Sequence, residues 1–186
     1  MRLTVLIGIV GLFGLSSLWS GCEDPNPVEI FEDSLTFEAR LALEEDSIDQ
    51  FILEQGFDSV FITENGLRIV PFTEGSGEPP NPGDIISIDY TGSFLYGRVF
   101  DTTIEEDARA AEIFVDGNDY VPLVRNLGDP SLIRGWNEGV SYMREGQRAL
   151  LILPSHLAYG EDGFGQIIGP FRIIKFEMGL WRIRRQ

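Results

Sequence analysis

The chain has 186 residues, as a prior one domain with a segment to spare, and 43% of them are hydrophobic, enough to bury a core. Acidic residues outnumber basic ones 30 to 14, a formal net charge of -16 at pH 7, which argues against nucleic-acid binding through phosphate contacts. With one His and one Cys, the chain cannot assemble a His/Cys zinc site, an intrachain disulfide or a serine triad with a histidine to spare, and neither metal nor cofactor is expected.

The N-terminus, MRLTVLIGIVGLFGLSSLWSGC, sets Arg2 before an apolar run from Leu3 to Leu15 and then the small residues Ser20 and Gly21, which is the layout of a secretory signal over 1–21. The run is too short and wrongly flanked for a membrane span. Cys22 directly follows Ser-Gly, and this resembles a bacterial lipobox, although Trp19 stands where such boxes usually carry Leu, with Leu18 one position earlier. The resemblance implies cleavage before Cys22 and lipid on its sulfur and new amino group. The alternative is an ordinary signal with an incidental thiol. Several acyl chains, at about 0.8 kcal/mol per buried CH₂, would anchor the protein stably where one would not. The implied location is the bacterial cell envelope, lipid-anchored at the outer membrane, with the face left open. Residues 22–33, beginning with the acidic EDPNP after Cys22, read as a tether.

Residues 34–57 read as a helical extension, in which Phe37, Leu41, Ile48, Phe51 and Ile52 form one stripe and Glu44, Glu45 and Asp49 the other face. Ser47 with Gln50 fits a capping box, so one helix or two remain open, and Gly56 ends the stretch. The stripe either packs on the main domain, residues 58–186, or pairs two chains. SVFITENGLRIVPF reads as a hairpin turning at Asn65-Gly66. The Gly75-Ser76-Gly77 that follows belongs to a loop, since no helix comes after it to supply a phosphate cradle. IISIDYTG alternates, with Ile86, Ile88 and Tyr90 on one face and Ser87, Asp89 and Thr91 on the other.

In SLIRGWNEGV and the SYM after it, Trp136, Gly139, Val140 and Met143 recur at helical spacing and share one buried face. The two glycines of that helix cost roughly 1 kcal/mol each relative to Ala, so something must approach its backbone closely. A plain core tryptophan is one reading of Trp136. RALLILP and RIIKFEMGLWRI have strand character, with Ile174, Phe176, Met178 and Leu180 on one face, and His156 reads as a surface or hairpin residue. The predicted class is α+β, an antiparallel sheet with one short helix against it and Trp136 between them.

IDYTGSFLYGRVFD, LIRGWNEGVSYMREGQRALLILPSHLAYG, GFGQIIGP and IIKFEM follow one another in an order that resembles the FKBP-type peptidyl-prolyl isomerases, from about Gly66 to Ile183. The lipoprotein isomerases of the Bacteroidetes, including gliding-motility-associated ones, are the members it resembles in particular. This implies a curved antiparallel half-barrel wrapped on the short central helix, with a proline pocket floored by Trp136. It implies Tyr90, Phe100 and Phe176 as further walls, Leu132 and Ile133 as flanks, and the Ile133 N–H and Tyr159 hydroxyl as donors to substrate carbonyls. Asp101 would sit at the rim for orientation and polarity, and Leu123, Phe164 and Ile168 complete the substrate-binding set. Without the resemblance, Tyr90, Phe100 and Phe176 would read as core and Asp101 as a turn residue. The chain departs from the family pattern in an insertion at about 104–122, in Leu123 where a pocket phenylalanine is usual, and in Phe164 where other members carry His. ARAAE in the insertion predicts a short helix beside the pocket mouth, acidic on its outer side.

Such a site needs little chemistry. Rotation about X-Pro crosses a barrier of roughly 18–20 kcal/mol set by amide resonance, and a site that binds the twisted amide better than the planar one lowers it. The planar form is the more dipolar, so an apolar pocket favours the twisted one, at about tenfold in rate per 1.36 kcal/mol. The implied function is prolyl isomerisation assisting the folding of exported proteins. The alternative is an FKBP-fold chaperone or binding module of weak turnover, in an envelope machine such as a gliding or secretion apparatus. Implied partners are proline-containing polypeptides, macrolides of the FK506 and rapamycin type, and the membrane through Cys22.

Overall fold

Two long alternating segments set the centre of the fold. A computed structural model describes residues 35–186, so the signal, the tether and Cys22 lie outside the described residues. In chain order these form α1 (Phe37–Gln55), β1 (Phe61–Ile62), β2 (Arg68–Thr73), β3 (Ile85–Phe94), β4 (Val99–Thr102), α2 (Glu105–Ala110), β5 (Leu123–Asn126), α3 (Arg134–Val140), β6 (Arg148–Leu153) and β7 (Ile174–Arg184). The strands make one antiparallel sheet in the order β1-β2-β6-β7-β3-β4, with β5 paired to the first half of β3. Alternation in β3 and β7 puts Ile86, Ile88, Ile174, Phe176, Met178 and Leu180 on one buried face. The open, curled sheet with a helix across that face is the α+β architecture expected.

On that face lies α3, whose Trp136 and Val140 are buried together with Met143 just beyond the helix. Its glycines are explained by β6. A methyl group on Gly135 would overlap Leu153, and one on Gly139 would overlap Leu151. Both leucines are fully buried, so they cannot swing away. The helix backbone therefore rests directly on the strand.

Residues 148–153 run apolar rather than alternating because β6 is covered on both sides. Ala149, Leu151 and Leu153 face α3, while Leu150 and Ile152 join Val70, Leu95, Ile48 and Phe51 beneath α1. The extension is one helix. Thr36 caps it, accepting from the Ala39 N–H at 3.2 Å, and Gly56 ends it at φ 66. Ser47 caps nothing; it sits mid-helix and donates to Leu43 O at 2.8 Å. The apolar stripe packs on the chain's own sheet, with Phe37 at its end 57% exposed.

Glu44, expected on the solvent face, is 6% exposed. Its carboxylate accepts from the N–H and the hydroxyl of Ser155, each at 2.7 Å, and these donors are what make its burial tolerable. Arg68, 4% exposed, similarly donates to Asp49 at 2.9 Å and to Gly66 O at 2.7 Å. His156, expected on the surface or in a hairpin, lies half-buried in a 3₁₀ turn, Ser155–Leu157, edge-on to Phe37 and 3.1 Å from Asn65 O through Nε2. The β1–β2 turn uses only its glycine in the left-handed region: Gly66 has φ 84 and donates to Thr63 O, and Thr63 N–H donates to Leu67 O. This is a three-residue loop with a glycine bulge rather than a two-residue Asn-Gly turn.

The insertion forms the expected short helix on a different side. Thr91 donates through Oγ1 to Asp107 of α2, and Thr91 points away from the face that carries Tyr90. Ala108 is buried there, so α2 covers the back of the sheet. The reason is local: Thr102, at the end of β4, donates its hydroxyl to Tyr90 O and accepts the Ile104 N–H, which folds the chain over the sheet edge. Only the return segment, from Asn118 to Pro122, borders Tyr90, Asp101 and Arg125.

Gly139→Ala would gain about 1 kcal/mol of helix propensity but overpack α3 against Leu151 at about 1–3 kcal/mol. A net loss of stability is expected in urea unfolding of the folded domain. A variant as stable as the parent would show that α3 can lift off β6 freely.

Candidate active site

A break in the strand register makes the first wall. Thr91 pairs with Thr102 and Gly92 with Asp101, but Ser93 pairs with Val99, so Phe100 is the extra residue of a bulge. A regular strand would send Phe100 and Asp101 to opposite faces; the bulge turns both toward α3. Gly92 makes room for them, since a methyl group there would stand 2.6 Å from the Phe176 ring and 2.8 Å from the Phe100 ring.

Around this bulge the rings meet edge to face. Tyr90 and Trp136 lie 4.7 Å apart at 78°, Trp136 and Phe176 5.1 Å apart at 87°, and Phe100 and Phe176 5.8 Å apart at 88°. Such packing is favourable beyond its buried area and keeps each ring from tilting into the space between them. They bound an open cleft of about 450 Å³, completed by Leu123, Leu132, Ile133, Tyr159 and Phe164, with Asp101, Arg125 and Ser131 at its edge. Phe164 stacks on Tyr159 at 4.9 Å and is itself 58% exposed, forming a lip. Every expected site residue in the described part of the chain borders this cleft except one. Ile168 is 2% exposed and belongs to the core, where its backbone pairs with Phe164. A larger cleft, about 540 Å³, lies beside Ser47, Tyr96 and Ile173, but its rings, Phe94, Tyr96 and Phe171, do not pack against one another.

The polar groups are few. Tyr90 donates its hydroxyl to Asp101 Oδ2 at 2.6 Å. Burial pushes the Tyr90 hydroxyl well above the usual tyrosine range, and the hydrogen bond to Asp101 pushes it further. Tyr159 is raised by burial and then by the Asp101 charge. Both phenols thus stay protonated donors at neutral pH. Ile133 is the N-cap of α3, and its N–H makes no hydrogen bond among the described residues. The buried Trp136 Nε1 likewise has no partner there.

Residues 76–181 match the family model described as FKBP-type peptidyl-prolyl cis-trans isomerase. The chain belongs to the FKBP-type isomerase family. It is 32% identical over 126 residues to the probable FKBP-type peptidyl-prolyl cis-trans isomerase FkpA of Neisseria meningitidis serogroup B, a match covering 68% of this chain but only 41% of that protein. It is 32% identical to FK506-binding protein 1 of Rhizopus delemar, covering 63% of this chain and 98% of that one. Among solved structures, FkpA from Escherichia coli resembles it with a TM-score of 0.58 at 25% identity, over 85% of this chain and 70% of that one. Helix α1 lies outside the segment that matches the isomerase family model.

Within this FKBP-type domain, three contributors escaped the sequence reading. Gly92 carried a visible sign, a glycine inside an alternating strand, which marks close approach or a bulge. Asn137 accepts from Gly128 N–H at 2.8 Å and donates to Asp129 O at 3.1 Å, holding the loop that delivers Leu132 and Ile133; a polar residue mid-helix was its only sign. Arg125 at the cleft edge had none. Because both cleft tyrosines are shifted upward, kcat/KM for a proline peptide is expected to stay flat between about pH 6 and 8. A steep profile with a midpoint near neutrality would contradict this and point to a titrating group.

Proposed function

We propose that the ring-lined cleft binds the proline of an extended polypeptide and catalyses its cis-trans isomerisation by favouring the twisted amide. The observation that carries this is the edge-to-face cup of Tyr90, Phe100, Trp136 and Phe176, open to solvent above a buried indole. The proline ring lies on Trp136. The planar amide gives up hydration on entering the cup, and the less dipolar twisted form gives up less, which lowers the barrier. The free Ile133 N–H and the Tyr159 hydroxyl each take a substrate carbonyl and hold the chain on either side of the rotating bond. Asp101, fixed by Tyr90, sets polarity at the rim and transfers no proton. Leu123, smaller than an aromatic ring, leaves one wall shallow, and the exposed Phe164 adds an apolar lip.

The substrates of this reading are proline-containing segments of exported proteins. FK506-type macrolides compete for the same cup, by analogy with the relative named FK506-binding protein 1. The chain acts at the cell envelope, held to the outer membrane by lipid on Cys22, in the manner of the Bacteroidetes lipoproteins it resembles.

Isomerisation of a proline tetrapeptide tests the site. Tyr159→Phe is expected to lower kcat/KM by up to about tenfold with circular dichroism unchanged, the scale of one lost hydrogen bond of about 0.5–1.5 kcal/mol. Full activity in that variant would remove the hydroxyl from the mechanism, and an inactive but folded parent protein would overturn the function. The anchor is tested separately: Cys22→Ser is expected to shift the protein from the membrane to the soluble or unprocessed fraction. Continued membrane association after signal cleavage would exclude lipid on Cys22.

A further inference from the structure

We infer that Glu44 of α1 is a positioning residue for the cleft, acting through Ser155 on Tyr159. The inference rests on the proposed role of Tyr159 in the cup. Glu44 is 6% exposed, and both its carboxylate oxygens are engaged by one residue, the Ser155 N–H and hydroxyl, each at 2.7 Å. Carboxyl oxygens are strong acceptors, and here both oxygens of one group hold a single residue, one through its backbone and one through its side chain. The carbonyl of that same residue, Ser155, accepts from Ala158 N–H and from Gly160 N–H, each at 2.9 Å. Those two residues flank Tyr159 directly. Tyr159 in turn accepts at its carbonyl from Gly163 N–H at 3.1 Å and stacks its ring on Phe164. A continuous set of hydrogen bonds therefore runs from the inner side of α1 to the lip of the cup.

A further contact, through Phe171, holds α1 to the same loop. Arg40 lies over the Phe171 ring at 3.9 Å, and Phe171 N–H donates to Gly160 O at 2.7 Å. Burying a carboxylate only to hold a helix down is a poor use of a core position, because an apolar residue would pack there without the cost of desolvation. Directing the Ser155 turn requires a forked polar group at this spot, with an acceptor for the N–H and a second polar atom for the hydroxyl. The extension thus does more than cover the back of the sheet: it sets the angle at which Tyr159 meets the substrate.

The test uses the full chain and a proline-peptide isomerisation assay. Glu44→Ala is expected to lower kcat/KM about fivefold, while Glu44→Gln, which keeps an acceptor for the N–H and supplies a donor to the hydroxyl, stays close to the parent. A double-mutant cycle provides the readout that a purely structural role would not move. If Glu44 acts through Tyr159, then Glu44→Ala adds almost nothing to the loss already caused by Tyr159→Ala, whereas it multiplies fully with Phe100→Leu on the opposite wall. Additive losses with Tyr159→Ala, or a folded Glu44→Ala protein of unchanged activity, would overturn the inference. A folded Tyr159→Ala protein with full activity would instead overturn the role given to Tyr159, and this inference with it. Should Glu44→Ala not fold, Ser155→Ala removes only the hydroxyl contact; it is expected to give a smaller loss that is likewise absorbed by Tyr159→Ala, and an additive loss there counts against the inference in the same way.

Discussion

The close approach of the α3 backbone to β6 is the dimension from which the rest of the site is measured. Gly135 and Gly139 remove the side chains that would hold the helix off Leu153 and Leu151, so Trp136 sinks between helix and sheet with its nitrogen buried and its ring against Tyr90 and Phe176. A larger residue at either glycine would raise the floor and close the cup from below. The glycines sacrifice helix propensity for depth, and seven residues of helix can bear that cost because packing, not propensity, holds them in place.

The walls depend on a second local irregularity. A strand offers alternate residues to a face, yet the cleft takes both Phe100 and Asp101 from neighbouring positions, and the bulge opposite Gly92 and Ser93 is what permits it. An apolar ring and a carboxylate thereby stand side by side at the mouth of one pocket, with Tyr90 spanning them: its ring packs in the cup and its hydroxyl holds Asp101. Apolar surface and polarity are delivered by the same short hairpin.

The features legible in the sequence were those carried by periodicity. Ile86, Ile88, Ile174, Phe176, Met178 and Leu180 announced the inner face of the sheet, and the spacing of Trp136, Gly139, Val140 and Met143 announced the face that meets it. The cost of two glycines in one short helix announced a close neighbour. The hidden features depend on partners remote in the chain. Glu44 looks like any solvent-facing acid until Ser155, 111 residues later, supplies its donors. The skipped pairing at Phe100 exists only against β3, and the side taken by α2 follows from Thr102 reaching across to Tyr90. Ile168 illustrates the converse: its motif lies at the lip, but its side chain turns into the core because Phe164 occupies the outer position of the same small turn.

The order of strands carries a consequence for how the molecule is made. β7 stands between β6 and β3 and pairs along its whole length with β3, from Ile85 with Arg184 to Phe94 with Ile174. It is also the last in chain order of the described strands. Until it arrives, β1, β2 and β6 on one side and β3, β4 and β5 on the other have no common edge. Bringing them together closes loops of great length, the slow kind of contact in folding. A partly synthesised chain therefore holds two unfinished ribbons rather than a locked sheet until β7 emerges.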